Sequence, residues 1–302
     1  MPKSHAETFV APYVVTNGAK FRITDIDPAD CNGLKDKGAA AALLQEGLKK
    51  LAKLQETLYA QNTWSMLLIF QAMDAAGKDS TIKHVMNGVD PQGCQVYSFK
   101  TPNQEELDHD FLWRCACRLP ERGRIGIFNR SYYEETLIVR VHPEHLAAQR
   151  LPAACIPKDI WQQRFDDINN FERYLSHNGV VIRKFFLHVS KEEQKKRFLE
   201  RLEMPEKNWK FSHTDVAERA HWDDYQHAYQ EMIRHTSTKH SPWMVVPADH
   251  KWYTRLVVAA AIVDALEGLD LKFPQMDKSK KVELAAVEAA LRKESGGRGR
   301  GK

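Results

Sequence analysis

Three observations predict an α/β fold with a mostly parallel central sheet. Apolar runs of strand length alternate with helical periodicities along the chain. One run, WSMLLIFQ over residues 64–71, is apolar at nearly every position, as a strand covered on both faces must be. It leads directly into a glycine-containing turn and then a helical stretch, the unit from which parallel sheets are built.

The elements follow in order. Residues 1–33 read as irregular, with short apolar pieces. Leu44, Leu48, Leu51, Leu54 and Leu58 recur at three- and four-residue steps, so 34–61 is predicted to be an amphipathic helix. The strand at 64–71 and a helix over 78–86 come next, then a strand at 95–99, a helix at 103–118 and a strand at 125–128. A helix at 158–177 precedes VVIRKFFLHV at 180–189, read as a strand, and a charged helix follows at 190–204. A long helix at 215–236, a short strand at 243–247 and an apolar-faced helix at 252–267 complete the alternation. No internal repeat interrupts it, and no linker divides it. A single domain over 1–270 is expected, with an N-terminal extension at 1–60 and a mobile helical lid at about 195–215. A basic tail at 271–302 follows, ending in the low-complexity SGGRGRGK.

A chain of 302 residues can bury most of its apolar surface without disulfides or a structural metal. With 43% hydrophobic and 28% charged residues, the composition excludes collagen, a disordered chain and a membrane protein. No apolar run reaches the roughly 18–20 residues needed to span a bilayer, and MPKSHAETF lacks the apolar core of a signal peptide; the expected compartment is the cytoplasm. Five cysteines at 31, 94, 115, 117 and 155 form no CxxC pair, and the thirteen histidines show no HExxH spacing. Ordinary thiols are therefore expected, and no zinc site.

AMDAAGKDST at 72–81 sits between the apolar strand and its helix, where a phosphate-binding loop belongs. Against the pattern G-x-x-x-x-G-K-[ST], Ala72 replaces the first glycine and Asp79 the hydroxyl residue. The turn (Ala75, Ala76, Gly77) and the helix N-terminus can form an anion nest, to which Lys78 adds charge. The alternative is a plain strand–turn–helix with a chance Gly-Lys. Asp74 would repel phosphates unless Mg²⁺ lies between them or it orients an acceptor, and otherwise it is a solvated turn aspartate. The strand at 125–128 ends in Asn129-Arg130, with Asn129 where P-loop folds carry a metal-binding acid. Arg130 either aims a fork of donors into the crevice above the sheet or forms a surface ion pair. Arg140 and His142 could extend that wall. KKRFLERLEMPEKNWK at 195–210 contains six basic residues and three acids, with Arg197 and Arg201 on one helix face. It suits a lid over a polyanion, or a solvated helix of mixed charge.

These motifs resemble the polyphosphate kinase 2 family. The matching stretches are GLKDK (33–37), QAMDAAGKD (71–79), SFKTP (98–102), HDFLWR (109–114), FNRSY (128–132), VRVHP (139–143), EKNWK (206–210), WDDY (222–225) and VPADHKW (246–252), spread from Tyr13 to Leu266. Asp79 and Asn129 are similar to the class III branch, which uses both AMP and ADP. The resemblance implies a three-layer P-loop kinase fold like that of thymidylate kinase, with about five parallel strands. It further implies Mg²⁺-dependent (or Mn²⁺-dependent) phosphoryl transfer between inorganic polyphosphate and adenine or guanine nucleotides, in a homodimer or homotetramer, with no nucleic acid or membrane partner. Carried over by position, Asp74 would bind the metal and orient the attacking phosphate, and Lys78 and Arg130 would neutralise the transferred group. Lys83, Arg197, Arg201, Lys207 and Lys210, with the 75–79 loop, would hold polyphosphate. Asn129, Arg130 and Glu134 would lie at the nucleotide, with a metal role for Asn129 left open. The residues leave two other classes standing: an ATP-dependent P-loop kinase, and a non-catalytic polyanion-binding protein.

The net charge of +4 suggests a polyanionic partner, but residues 278–302 alone carry eight basic and three acidic residues. The remaining 277 residues then sum to −1, so any polyanion must be held by local cations.

Overall fold

A computed structural model describes residues 5–206 and 213–296. Six strands form one sheet: β1 (Val14–Val15), β2 (Ser65–Gln71), β3 (Cys94–Ser98), β4 (Ile125–Asn129), β5 (Val180–His188) and β6 (Trp243–Pro247). Their spatial order is β1-β6-β5-β2-β4-β3. The last five strands in sequence are parallel, and β1 adds a short antiparallel edge against β6 that the apolar pieces before residue 33 did not reveal. All seven residues of β2 are buried, as expected of a strand with neighbours on both edges and helices on both faces. The chain leaves β2 for the far edge, returns to β4 on one side of β2, and then crosses to β5 on the other. Ligands of open parallel sheets bind at the carboxyl ends of strands around such a switch.

The longer helices are α1 (Lys37–Gln61), α2 (Lys78–Val85), α3 (Ile160–His177), α4 (Lys191–Glu203), α5 (Trp222–Thr236), α6 (Lys251–Glu267) and α7 (Lys278–Gly296). Asp36 caps α1 by accepting from the Gly38 N–H at 2.7 Å, and Asn62 ends it in the left-handed region at φ 51°. Leu48, Leu51 and Leu58 bury the predicted stripe. The helix expected over 103–118 is instead two single turns, Gln104–Leu107 and Trp113–Ala116. The break falls at Asp108-His109-Asp110, where the Asp110 side chain accepts from the Leu112 N–H and competes with helix continuation. Residues 1–271 form one compact unit and 272–302 another. Within the second, α7 is helical where sequence gave only a basic tail. Among the described residues no helix is long and apolar enough to cross a membrane, and the five cysteines are free thiols.

One charged node sits in the dry core. Lys184 on β5 and Glu172 on α3 are paired at 2.7 Å with both side chains fully buried. The Lys184 ammonium also donates to Tyr133 Oη at 2.8 Å and to the Thr236 carbonyl at 2.7 Å. Glu172 accepts from the Tyr132 and Tyr133 hydroxyls at 2.9 and 2.7 Å. Burial pushes the Lys184 pKa down, against the pull of Glu172. Every hydrogen-bonding group in the node has a partner, so removing one leaves another stranded. Lys184→Met should cost about 3–5 kcal/mol in urea unfolding. Adding Glu172→Gln, which removes the orphaned charge and still accepts from the tyrosines, should recover part of that loss. Equal destabilisation of the single and double variants would refute this account.

Candidate active site

The loop after β2 is built from carbonyls held from behind. Lys78 Nζ donates to the Ala72 carbonyl at 2.7 Å. Gln194 Nε2, on α4, donates to the Asp74 carbonyl at 3.0 Å. One helical turn later, Arg197 Nη1 reaches the carbonyls of Ala75 at 3.1 Å and Ala76 at 2.7 Å. Ala75 is held at φ 62° and Gly77 at φ 108°. For an alanine that backbone costs about 1–3 kcal/mol, which surrounding contacts must offset; Arg197 supplies one such contact. Gly77 adopts its angle freely and opens α2 as its N-cap. With the carbonyls engaged from behind, the turn and the α2 N-terminus are left to receive an anion.

Arg197 therefore departs from its expected place. Expected to hold polyphosphate, it is instead buried beneath the loop with its guanidinium on backbone carbonyls. Its Nη2 also donates to the carbonyls of Ala248 at 2.6 Å and Asp249 at 3.1 Å, and its Nε to Glu193 at 2.9 Å. The planar fork of arginine suits such multiple recognition.

Lys78 is buried, and desolvation, with Arg130 nearby, lowers its pKa to about 8. Arg130 follows β4 and sits at φ 64°, its N–H donating to the Phe70 carbonyl at 3.0 Å. This turn aims the guanidinium across the β2 loop, where Nη2 pairs with Asp74 at 2.9 Å. Nη1 lies 3.6 Å from Glu134, whose other oxygen accepts from Gln71 Nε2 at 2.7 Å. Glu134 above all, and also Asp74, hold the Arg130 pKa above the ordinary arginine value. Asn129 Nδ2 donates to Asp79 at 2.7 Å, which links the ends of β4 and the loop. The structure thus brings together Asp74, Lys78, Asp79, Asn129, Arg130 and Glu134. Lys83 is exposed on α2, and Arg201 lies over the Phe198 ring on α4. Lys207 and Lys210 lie outside the described residues. Of the two residues that could extend the wall, Arg140 is half-buried and His142 bonds Glu218 at 2.9 Å.

Two cavities meet at Arg130. A cleft of about 60 Å³ is lined by Asp74, Arg130, Glu134, Gln194, Glu218 and Arg219, among others. A larger pocket of about 200 Å³ includes Phe99, Lys100, Phe111 and Arg114. Arg130, Glu134 and Ile138 line both. Sequence reasoning missed Gln194, Glu218 and Arg219. The three-residue step from Gln194 to Arg197 was the available signal, hidden within a run of charge.

Mg²⁺ commonly takes one or two protein carboxylates and fills its remaining positions with water and substrate phosphates. The oxygen donors of Asp74 beside the loop fit that pattern, with Glu134 and Glu218 in the same cleft. Among the described residues no group of three or more His, Cys, Asp or Glu side chains forms a metal cage, and none is required for such an ion.

Two outcomes test the loop. Arg197→Lys cannot satisfy four carbonyls and should lower unfolding free energy by at least about 2 kcal/mol; wild-type stability would refute the clamp. Lys78 loses its charge as pH rises through about 8, and a bound anion restores it. At about pH 9, tripolyphosphate binding should therefore take up close to about one proton, as read by calorimetry in two buffers of different ionisation enthalpy. Lys78→Met should take up none, and equal uptake in both proteins would assign the titration to another group.

The polyphosphate kinase 2 family model matches residues 34–274. A Rhodopseudomonas palustris protein named ADP-polyphosphate phosphotransferase is 52% identical over 252 residues, covering 83% of this chain and 87% of its own. A Meiothermus ruber protein named AMP/ADP-polyphosphate phosphotransferase is 44% identical over 264 residues, covering 87% and 95%. The crystal structure of polyphosphate kinase 2 from Arthrobacter aurescens superposes with a TM-score of 0.83 at 41% identity, covering 94% of this chain and 97% of that one. A loop, an arginine and two adjoining cavities arranged as above thus sit in a chain that, over nearly its whole compact body, belongs to the polyphosphate kinase 2 family.

Proposed function

We propose that the protein transfers a terminal phosphoryl group reversibly between inorganic polyphosphate and ADP or AMP. The observation that carries this reading is the shared wall: Arg130 and Glu134 line both the loop-side cleft and the larger pocket. A donor held at the loop and an acceptor held in the pocket would present their phosphates to one guanidinium from opposite sides. Phe99 and Phe111 give the pocket aromatic surface suited to a nucleobase, whereas polyphosphate has no base to stack and needs only cations and the loop. This fits donor at the loop and acceptor in the pocket.

In that arrangement an oxygen of the nucleotide's terminal phosphate attacks the terminal phosphorus of polyphosphate. The bridging P–O bond breaks, and the shortened polyphosphate leaves as an anion. No covalent nucleophile on the protein is needed, because positioning and charge neutralisation dominate phosphoryl transfer. Lys78 would keep one of its three N–H donors on the Ala72 carbonyl and turn the others to the donor, and Arg130 would stabilise charge on the group in flight. Asp74, held by Arg130 on its side chain and by Gln194 on its carbonyl, would hold Mg²⁺ at the phosphates; the ion supplies neutralising charge when bound. The names of the relatives support adenine nucleotides as acceptors. The reading places the enzyme in the cytoplasm with its free thiols, as a homodimer or homotetramer whose mass light scattering would report.

A donor–acceptor panel tests the function: polyphosphate or ATP as donor; AMP, ADP, GMP and GDP as acceptors. ATP or ADP should form from polyphosphate with Mg²⁺ present. Productive transfer from ATP alone would return the chain to ordinary nucleotide kinases. Lys78→Ala and Asp74→Asn should each lower kcat/KM by well over tenfold, more than about 1.4 kcal/mol, and smaller losses would remove those residues from the chemistry.

A further inference from the structure

Resting on the phosphotransfer reading above, we propose that Arg219 is a second phosphate-contacting arginine of the donor cleft, and that Gln194 is the positioning residue that ties it to the loop. Arg219 lines the same cleft as Asp74 and Arg130 but comes from a part of the chain distant in sequence, just before α5. It is fixed through one nitrogen: Nη1 donates to the Lys191 carbonyl at 2.7 Å and to Gln194 Oε1 at 2.9 Å. The rest of the planar fork is left to the cleft.

Gln194 is buried, and both ends of its amide are engaged. Its oxygen accepts from Arg219, and its nitrogen donates to the Asp74 carbonyl. A displacement of the loop is therefore felt at Arg219, and the reverse. The neighbouring Glu218 fixes the same turn by accepting from Tyr225 Oη at 2.7 Å and His142 Nε2 at 2.9 Å. The cleft carries three carboxylates, Asp74, Glu134 and Glu218. Arg130 and the nearby Lys78 offset only part of that charge against an incoming polyanion, and a second fixed guanidinium lining the same cleft adds to them.

The test pairs binding with turnover. Polyphosphate affinity is measured by calorimetry at two salt concentrations, and kcat and both KM values by nucleotide formation. Arg219→Ala should lower kcat about 100-fold, the usual effect of removing one preorganised donor. It should also weaken polyphosphate binding and flatten its salt dependence, while leaving the nucleotide KM within about threefold of wild type, since the acceptor pocket does not contain it. Arg219→Lys should recover part of the loss because it keeps the charge. Gln194→Met should lower kcat in the wild type and have a smaller effect in Arg219→Ala, where only its bond to the Asp74 carbonyl remains to be lost. Unchanged kcat and polyphosphate affinity in Arg219→Ala would overturn the inference, as would equal losses and equally lowered melting temperatures in Arg219→Ala and Arg219→Lys. A Gln194→Met effect that multiplies with Arg219→Ala would overturn the coupling. A wild type that binds polyphosphate without transferring phosphate would defeat the functional reading, and the binding arm would still decide the role of Arg219.

Discussion

The site depends on how the carbonyls of residues 72–76 are satisfied. A loop that turns its N–H groups toward a ligand must turn carbonyls the other way, into protein, where an unpaired acceptor costs roughly 1–3 kcal/mol. Here Ala72, Asp74, Ala75 and Ala76 find donors in Lys78, Gln194 and Arg197. Two of the three donors come from one face of α4, so the loop's shape is set by a helix more than a hundred residues away in sequence. Arg197 extends the same bonding to Ala248 and Asp249 beyond β6. The loop at 72–77, the ends of two strands and α4 are thereby fastened as one unit.

The charges of the cleft follow from that fastening. Lys78 is buried because its ammonium is folded onto the loop. Desolvation then brings its pKa down to about 8, so that above that pH an arriving phosphate can change its protonation state. Asp74 is held at its carbonyl by Gln194 and at its carboxylate by Arg130. Ala75, in the loop after β2, and Arg130, just after β4, both have left-handed backbones. Strained residues that the surroundings hold in place cluster where function needs a fixed geometry, and these two flank the crevice at the switch in strand order.

Much of this was legible in the sequence, and the parts that were not share a cause. The loop, the strand before it and Arg130 at the end of β4 are local patterns: an apolar run, a Gly-Lys pair, a polar strand end. They were placed correctly because a strand–turn–helix carries its own geometry. Arg197 was misplaced because its neighbours Lys195 and Lys196 are exposed, and a run of charge does not disclose which member turns inward. Burial of a guanidinium requires carbonyl acceptors from the loop and from beyond β6, contacts that span 51 to 122 residues. Gln194 and Arg219 were missed for the same reason, since each acts through partners distant in sequence. The break at Asp108-His109-Asp110 was a smaller error of another kind: apolar periodicity continued through residues whose side chains prefer the backbone of a turn.

The placement of α4's basic residues also explains why net charge is a poor guide to the ligand. Of the basic residues between 191 and 203, Arg197 binds carbonyls and Lys196 pairs with Glu193 at 3.6 Å on the exposed face. A count of cations in this helix therefore overstates what a polyanion would meet. What it would meet are the few donors whose other bonds already fix them, Lys78 and Arg130 first. Fixed donors lose little freedom when an anion arrives, whereas free surface lysines must be ordered at the moment of binding. A near-neutral body with a handful of immobilised cations at one crevice can thus favour a polyphosphate end over diffuse anionic surfaces, which a uniformly basic surface could not do.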